Sequence, residues 1–173
     1  AHFVDSYSTP LEPPVSVLRR TRDGDVVLEL GRADISRLIA SGWQPPEPIV
    51  VKARDGTTDL YGLMFTPTDL DSTRTYPIVN YIYPGPWGSS VGTRNFSPAR
   101  GDHQALGELG FVVVVIDGMG TEWRSKSFHD AYYGDMADNT LPDQIAGMRE
   151  LARRHPFIDI ERAGLWAHSG RGF

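Results

Sequence analysis

The 173-residue sequence contains no cysteine, which excludes disulfides, thiolate nucleophiles and cysteine-ligated zinc. Positive charge is scarce as well: 17 Lys and Arg against 22 Asp and Glu leave a formal net charge of -5. Nucleic acid and anionic membrane surfaces select clustered Lys and Arg, and Arg19-Arg20 and Arg153-Arg154 are pairs rather than patches. No nucleic-acid partner is expected. No apolar run approaches the roughly 18 to 20 residues of a membrane span, and the first residues lack the charged-then-apolar order of a secretion signal. The chain is expected to carry no membrane segment. Its histidines, His2, His103, His129, His155 and His168, are scattered without metal-ligand spacing, so neither a metal nor an organic cofactor is expected.

What the sequence does have is 40% hydrophobic residues in a strong pattern. Val15 to Arg19 and Val26 to Leu30 are short β-formers around the turn signal Asp23-Gly24. Ala33 to Ser41 has helical spacing with Gly42 as its stop, and Trp43-Gln-Pro-Pro marks a boundary. Pro48 to Ala53 and Asp59 to Phe65 flank Asp55-Gly56 as a hairpin. Tyr76 to Tyr83 and Phe111 to Ile116 are the apolar runs expected of parallel strands buried on both faces. A helix is expected over Asp102 to Leu109, and the clearest one over Asn139 to Arg154, where Thr140 and Asp143 have capping-box spacing and Pro142 lies in the first turn. Arg162 to Ala167 is the last strand. Strand, helix, strand, helix, strand predicts an α/β fold with a mostly parallel sheet.

That strand runs into Gly-Leu-Trp-Ala-His-Ser-Gly-Arg-Gly-Phe at 164–173. A serine on a sharp strand-to-helix turn is how α/β-hydrolases raise a hydroxyl above the sheet beside backbone N–H groups that receive an oxyanion. Ser169 is therefore the candidate nucleophile, and the N–H of Gly170 a candidate oxyanion donor. The usual pattern is G-x-S-x-G; Ala167 and Arg171 stand at the two small-residue positions. Arginine is the larger departure, although Gly170 and Gly172 leave the turn adaptable. His168 adjoins the serine, but neighbouring side chains on such a turn diverge, so it is read as packing rather than as the base. In such folds the triad runs Ser, then Asp or Glu, then His along the chain. The triad Asp and His are thus expected to be absent from this chain, cut just beyond its nucleophile, and the 173 residues alone to be inactive.

Several segments resemble one family in order and spacing: Tyr-Pro-Gly-Pro at 83–86, Asp-Gly-Met-Gly-Thr at 117–121, Phe128-His129 followed by Tyr133-Gly134-Asp135, Asp143-Gln144, and the Ser169 elbow. Together they resemble the prolyl oligopeptidase family, most closely its dipeptidyl peptidase IV branch. The opening Phe3-Val-Asp-Ser-Tyr-Ser and Pro13-Pro-Val-Ser-Val-Leu look like the segment joining that branch's β-propeller to its hydrolase domain. The resemblance implies two parts: 1–45, the end of a propeller and a linker, and 46–173, the first half of an α/β-hydrolase catalytic domain. It also implies a serine peptidase that removes dipeptides from peptide N-termini after Pro or Ala, with Tyr83 donating its hydroxyl to the oxyanion. A phenol at the C-terminal end of a parallel strand suits that role.

By the same resemblance the full-length protein is a homodimer, periplasmic or extracellular rather than cytoplasmic, with peptide substrates. Met119 stands where the family usually has Arg, which puts a polar tether of that loop in doubt, and Arg171 replaces a family glycine, which puts activity in doubt. Asp117 precedes the nucleophile, against the triad order, and is read as shaping a loop; Asp135, Asp138 and Asp143 read as turn and helix-start residues. An acyl-peptide hydrolase or esterase on the same fold, or a degenerate homologue acting as an interaction scaffold, are the alternatives.

Overall fold

The computed structural model describes residues 1–83, 88–92, 95–131, 133–135 and 140–167. The chain divides into two units, Ala1–Pro45 with Thr93–Arg100, and Pro46–Gly92 with Gly101–Phe173.

The first unit is an antiparallel three-stranded sheet, β1 (His2–Tyr7), β2 (Val15–Arg20) and β3 (Val26–Arg32), in sequence order. Alternation in β2 turns Val15 and Val17 inward, while Ser6 lies opposite Ser16 and their hydroxyls bond at 2.7 Å. The expected turn forms at Asp23-Gly24, with Gly24 at φ +78° and Asp23 accepting from the Asp25 N–H. The helix read over 33–41 is only α1 (Ser36–Ala40), because the Asp34 carboxylate accepts the Ser36 N–H and holds the preceding residues in a turn. Residues 95–100, read in sequence as part of the second domain, group with this unit. The Trp43 indole donates to the Pro98 carbonyl at 2.9 Å and lies against Phe96, whose own N–H donates to Ser8 Oγ.

The second unit carries β4 (Glu47–Lys52), β5 (Asp59–Phe65), β6 (Tyr76–Ile82), β7 (Val112–Ile116) and β8 (Ile158–Ala167), ordered β4-β5-β7-β6-β8. The sheet is mixed: β4, β5 and β7 pair antiparallel, and β7, β6 and β8 pair parallel. Every residue of β7 is buried, as its unbroken Val-Ile run requires. Val112, Val114 and Ile116 join the core under α4 (Leu141–Arg154), and Val113 and Val115 join Phe65 under α2 (His103–Glu108). Helices on both faces of the sheet make this the α/β architecture expected. In the β4–β5 turn, Asp55 accepts the N–H groups of Thr57 and Thr58 and the Thr58 hydroxyl, which holds its carboxyl well below the usual carboxylate range.

Two local expectations need revision, and one short element was not foreseen. Thr140 does not cap α4; it sits at φ +56° and its hydroxyl accepts from Gln144 at 3.3 Å. The backbone of Gly118 passes so close to Thr140 that a Cβ there would lie 2.6 Å from the threonine Cβ, and this crowding goes with the left-handed turn. β8 begins four residues before Arg162 because an irregularity lets Pro77 face Asp159 and Ile78 face Ala163. The extra residues are closed off by Asp159, which accepts from the Glu161 N–H and from Arg162. α3 (Lys126–His129), capped by Ser125 Oγ, is a single turn too short to give a periodic signal.

Close approach of strands fixes which glycines tolerate a methyl group. A Cβ on Gly62 would lie 2.4 Å from the Val115 carbonyl oxygen, so β5 and β7 would have to part, whereas one on Gly164 meets only Val79 at 3.7 Å. In the full-length protein Gly62→Ala is expected to lose about 3 kcal/mol or more, and Gly164→Ala to stay within about 0.5 kcal/mol of the parent. Denaturant unfolding followed by tryptophan fluorescence measures the difference.

Candidate active site

Because β7, β6 and β8 are parallel, their C-terminal ends lie along one edge of the sheet, where ligands gather in such folds. Tyr83 is the first residue after β6, Asp117 the first after β7, and β8 ends at Ala167, two residues before Ser169 in sequence. Ile82 is paired with Ala167, so the chains leading to Tyr83 and to Ser169 leave adjacent strands at the same level. Ser169, Gly170, His168 and Arg171 themselves lie outside the described residues.

Tyr83 is half-buried and held from several sides. Its N–H donates to Ser90 Oγ at 3.0 Å and its carbonyl accepts from the same hydroxyl at 3.2 Å. Its ring covers Gly88, where a Cβ would lie 3.3 Å from the ring Cε1. The segment 89–91 is bound in turn by Asp117, whose carboxylate accepts from the Ser89 hydroxyl, from the Ser90 N–H at 2.7 Å and from the Val91 N–H at 3.2 Å. The Asp117 N–H donates to the Tyr61 carbonyl in β5. Burial pushes the Asp117 carboxyl above its ordinary value, and these hydrogen bonds oppose the shift. The carboxylate shapes a loop, as its place ahead of the nucleophile suggests.

A second carboxylate lies deeper. Asp143, in the first turn of α4, has no exposed surface. Arg54 grips it with Nε on Oδ1 at 2.9 Å and Nη2 on Oδ2 at 3.2 Å, and the N–H groups of Arg54 and Met119 complete the set at 3.1 and 2.9 Å. The loop after β7 is thus tethered through the backbone of residue 119, a contact that needs no arginine side chain there. Next to it, Gln144 donates to the Ile116 carbonyl and accepts from Asn80 at 2.8 Å, which joins α4 to the ends of β6 and β7. Sequence reading saw Asp143 as a helix-start residue within the family-like Asp143-Gln144 pair and did not single out Arg54, since a pair 89 residues apart leaves no local pattern.

His103 is buried among Phe65, Tyr81 and Trp166, a packing position. Among the described residues no group of three or more His, Cys, Asp or Glu is placed to hold a metal ion, and no helix is long and apolar enough to cross a membrane.

The profile of the prolyl oligopeptidase family matches residues 98–173. Over 130 residues the chain is 36% identical to human dipeptidyl peptidase 8, covering 74% of this chain and 14% of that protein. Over 170 residues it is 29% identical to "Probable dipeptidyl-aminopeptidase B" of Emericella nidulans, covering 97% of this chain and 18% of that one. The crystal structure of Porphyromonas gingivalis dipeptidyl peptidase 4 superposes with a TM-score of 0.83 at 26% identity over 99% of this chain and 24% of its own. The chain therefore spans less than a quarter of the length of these relatives.

Removing one member of a buried ion pair strands the other. Arg54→Ala is expected to destabilise the full-length protein by about 2–4 kcal/mol, less than for a fully enclosed pair because the arginine is a third exposed. Arg54→Lys recovers only part of that, since an ammonium cannot reproduce the two-pronged contact. Denaturation midpoints check both. Asp117 gives a pH signature: a carboxyl raised on folding contributes stability at low pH and loses it as pH rises from about 4 through the raised value. Relative to Asp117→Asn, the parent should therefore become less stable over that rise, as read by unfolding at a series of pH values.

Proposed function

We propose, for a chain that belongs to the prolyl oligopeptidase family, that the protein carrying it is a serine peptidase releasing dipeptides from peptide N-termini, with Pro or Ala at the second position. Residues 1–45 would close a propeller and link it to the catalytic domain that begins at 46. Ser169 Oγ attacks the scissile carbonyl carbon, a histidine from polypeptide outside this chain takes the hydroxyl proton, and an aspartate, also from outside, orients that histidine. The Tyr83 hydroxyl and the Gly170 N–H receive the negative charge that develops on the carbonyl oxygen. Collapse expels the amine with the proton from the histidine, and water then hydrolyses the acyl-enzyme. The supporting observation is the parallel register that brings the exits of β6 and β8 to one level of the sheet edge.

Arg171, at a position where the elbow pattern has glycine, favours a second reading in which the protein is a non-catalytic homologue. In the full-length protein, Ser169→Ala should abolish turnover of a Gly-Pro amide and labelling by a fluorophosphonate, and the N-acetylated amide should not be cleaved by the parent. Retained turnover and labelling in Ser169→Ala would exclude the nucleophile assignment. Cleavage of the acetylated substrate would indicate an acyl-peptide hydrolase, and activity that emerges only in Arg171→Gly would establish the second reading.

A further inference from the structure

We infer that Asp117 and Ser90 are positioning residues that set the Tyr83 hydroxyl at the oxyanion, an inference that rests on the oxyanion role of Tyr83 proposed above. A donor stabilises an oxyanion only when it lies about 2.7–3.1 Å from the place the charge will occupy, and a misplacement of about 1 Å loses on the order of 100-fold in rate. Tyr83 is the first residue past β6, whose last residue, Ile82, lies opposite Ala167. Past that point the two backbone groups of Tyr83 are satisfied by one side chain, the Ser90 hydroxyl, which accepts from the N–H and donates to the carbonyl. Both backbone bonds run through that single hydroxyl.

Ser90 can do this only if it is itself fixed, and it is fixed by Asp117. One carboxylate takes the Ser90 N–H, the Ser89 hydroxyl and the Val91 N–H, so three consecutive residues are held to one point. Asp117 follows directly on β7, whose five residues are all buried, and its N–H is bonded to Tyr61 of β5. The relay runs from the fully buried strand β7 through Asp117 and Ser90 to the backbone of Tyr83. Gly88 completes it, since a Cβ there would lie 3.3 Å from the tyrosine ring and press on it. In this arrangement the carboxylate acts through the tyrosine.

The test is a set of double-mutant cycles in the full-length enzyme, with competent sites counted by the endpoint of fluorophosphonate labelling. Ser90→Ala is expected to lower kcat about 10-fold and Asp117→Asn about 10- to 100-fold, with KM within two-fold of the parent. Ser90→Thr, which keeps the hydroxyl, should recover most of the loss. In a Tyr83→Phe background, where there is no hydroxyl left to place, neither change should alter kcat by more than about two-fold. A purely structural role predicts the same loss in both backgrounds, or a fall in the number of labelled sites, and either result overturns the inference. So does a Ser90→Thr variant no better than Ser90→Ala. If Tyr83→Phe alone retains the parental kcat, the oxyanion reading itself is overturned and this inference with it. If Tyr83→Phe is impaired while the cycles are additive, only the relay falls. Should Asp117→Asn fail to accumulate as folded protein, the Ser90 variants carry the test by themselves.

Discussion

A carboxylate with no exposed surface must be met by donors on every side, and Asp143 is met by a guanidinium and two backbone N–H groups that come from two distant parts of the chain. Its partners lie just past β4 and in the loop after β7, while the carboxylate itself stands on α4. Desolvating a charge is so unfavourable that the pair holds these parts together or none of them is stable as built. Gln144 extends the same junction to β6 through Asn80. The sheet edge at which Tyr83 and Asp117 stand is thus backed by a polar cluster on the α4 face, beneath loops that would otherwise be free to drift.

Two carboxylates therefore divide the work by depth. Asp143 is an ion-paired anchor. Asp117, nearer the surface, lacks such a bidentate cation and is held by a serine hydroxyl and backbone N–H groups, which is why burial leaves its carboxyl raised. Removing the anchor would weaken the domain as a whole, whereas removing the Asp117 side chain would release one loop.

Much of the sheet was legible from sequence because strands and helices announce themselves by local period: the β4–β5 hairpin, the all-apolar β7 and the long α4 stand within a few residues of where the pattern puts them. Tyr83 could be singled out because it ends a strand within a Tyr-Pro-Gly-Pro segment. What stayed hidden was set by tertiary contact. Thr140 has the spacing of a cap, yet its hydroxyl accepts from Gln144 instead, beside a Gly118 backbone too close for a side chain. Arg54 and Ser90 look like ordinary loop residues, and only folding brings them to Asp143 and to Tyr83. Segment 95–100 is drawn out of its sequence neighbourhood by Trp43, Phe96 and Ser8, a grouping no local pattern encodes.

The strand order β4-β5-β7-β6-β8 also bears on synthesis. β5 and β6 are consecutive in sequence but must not pair; the gap between them is reserved for β7, which ends about 34 residues after β6. At ribosomal speeds of about 5–20 residues per second, β6 waits about 2–7 s for its true neighbour. Throughout that interval a direct β5–β6 hairpin is the nearest available pairing, and it would have the same antiparallel sense as the β5–β7 ladder it displaces. Pro77, which offers no N–H to a partner, removes one ladder donor from that premature hairpin. The central strand of this domain is the one that arrives late, and the chain around it is written to keep its place open.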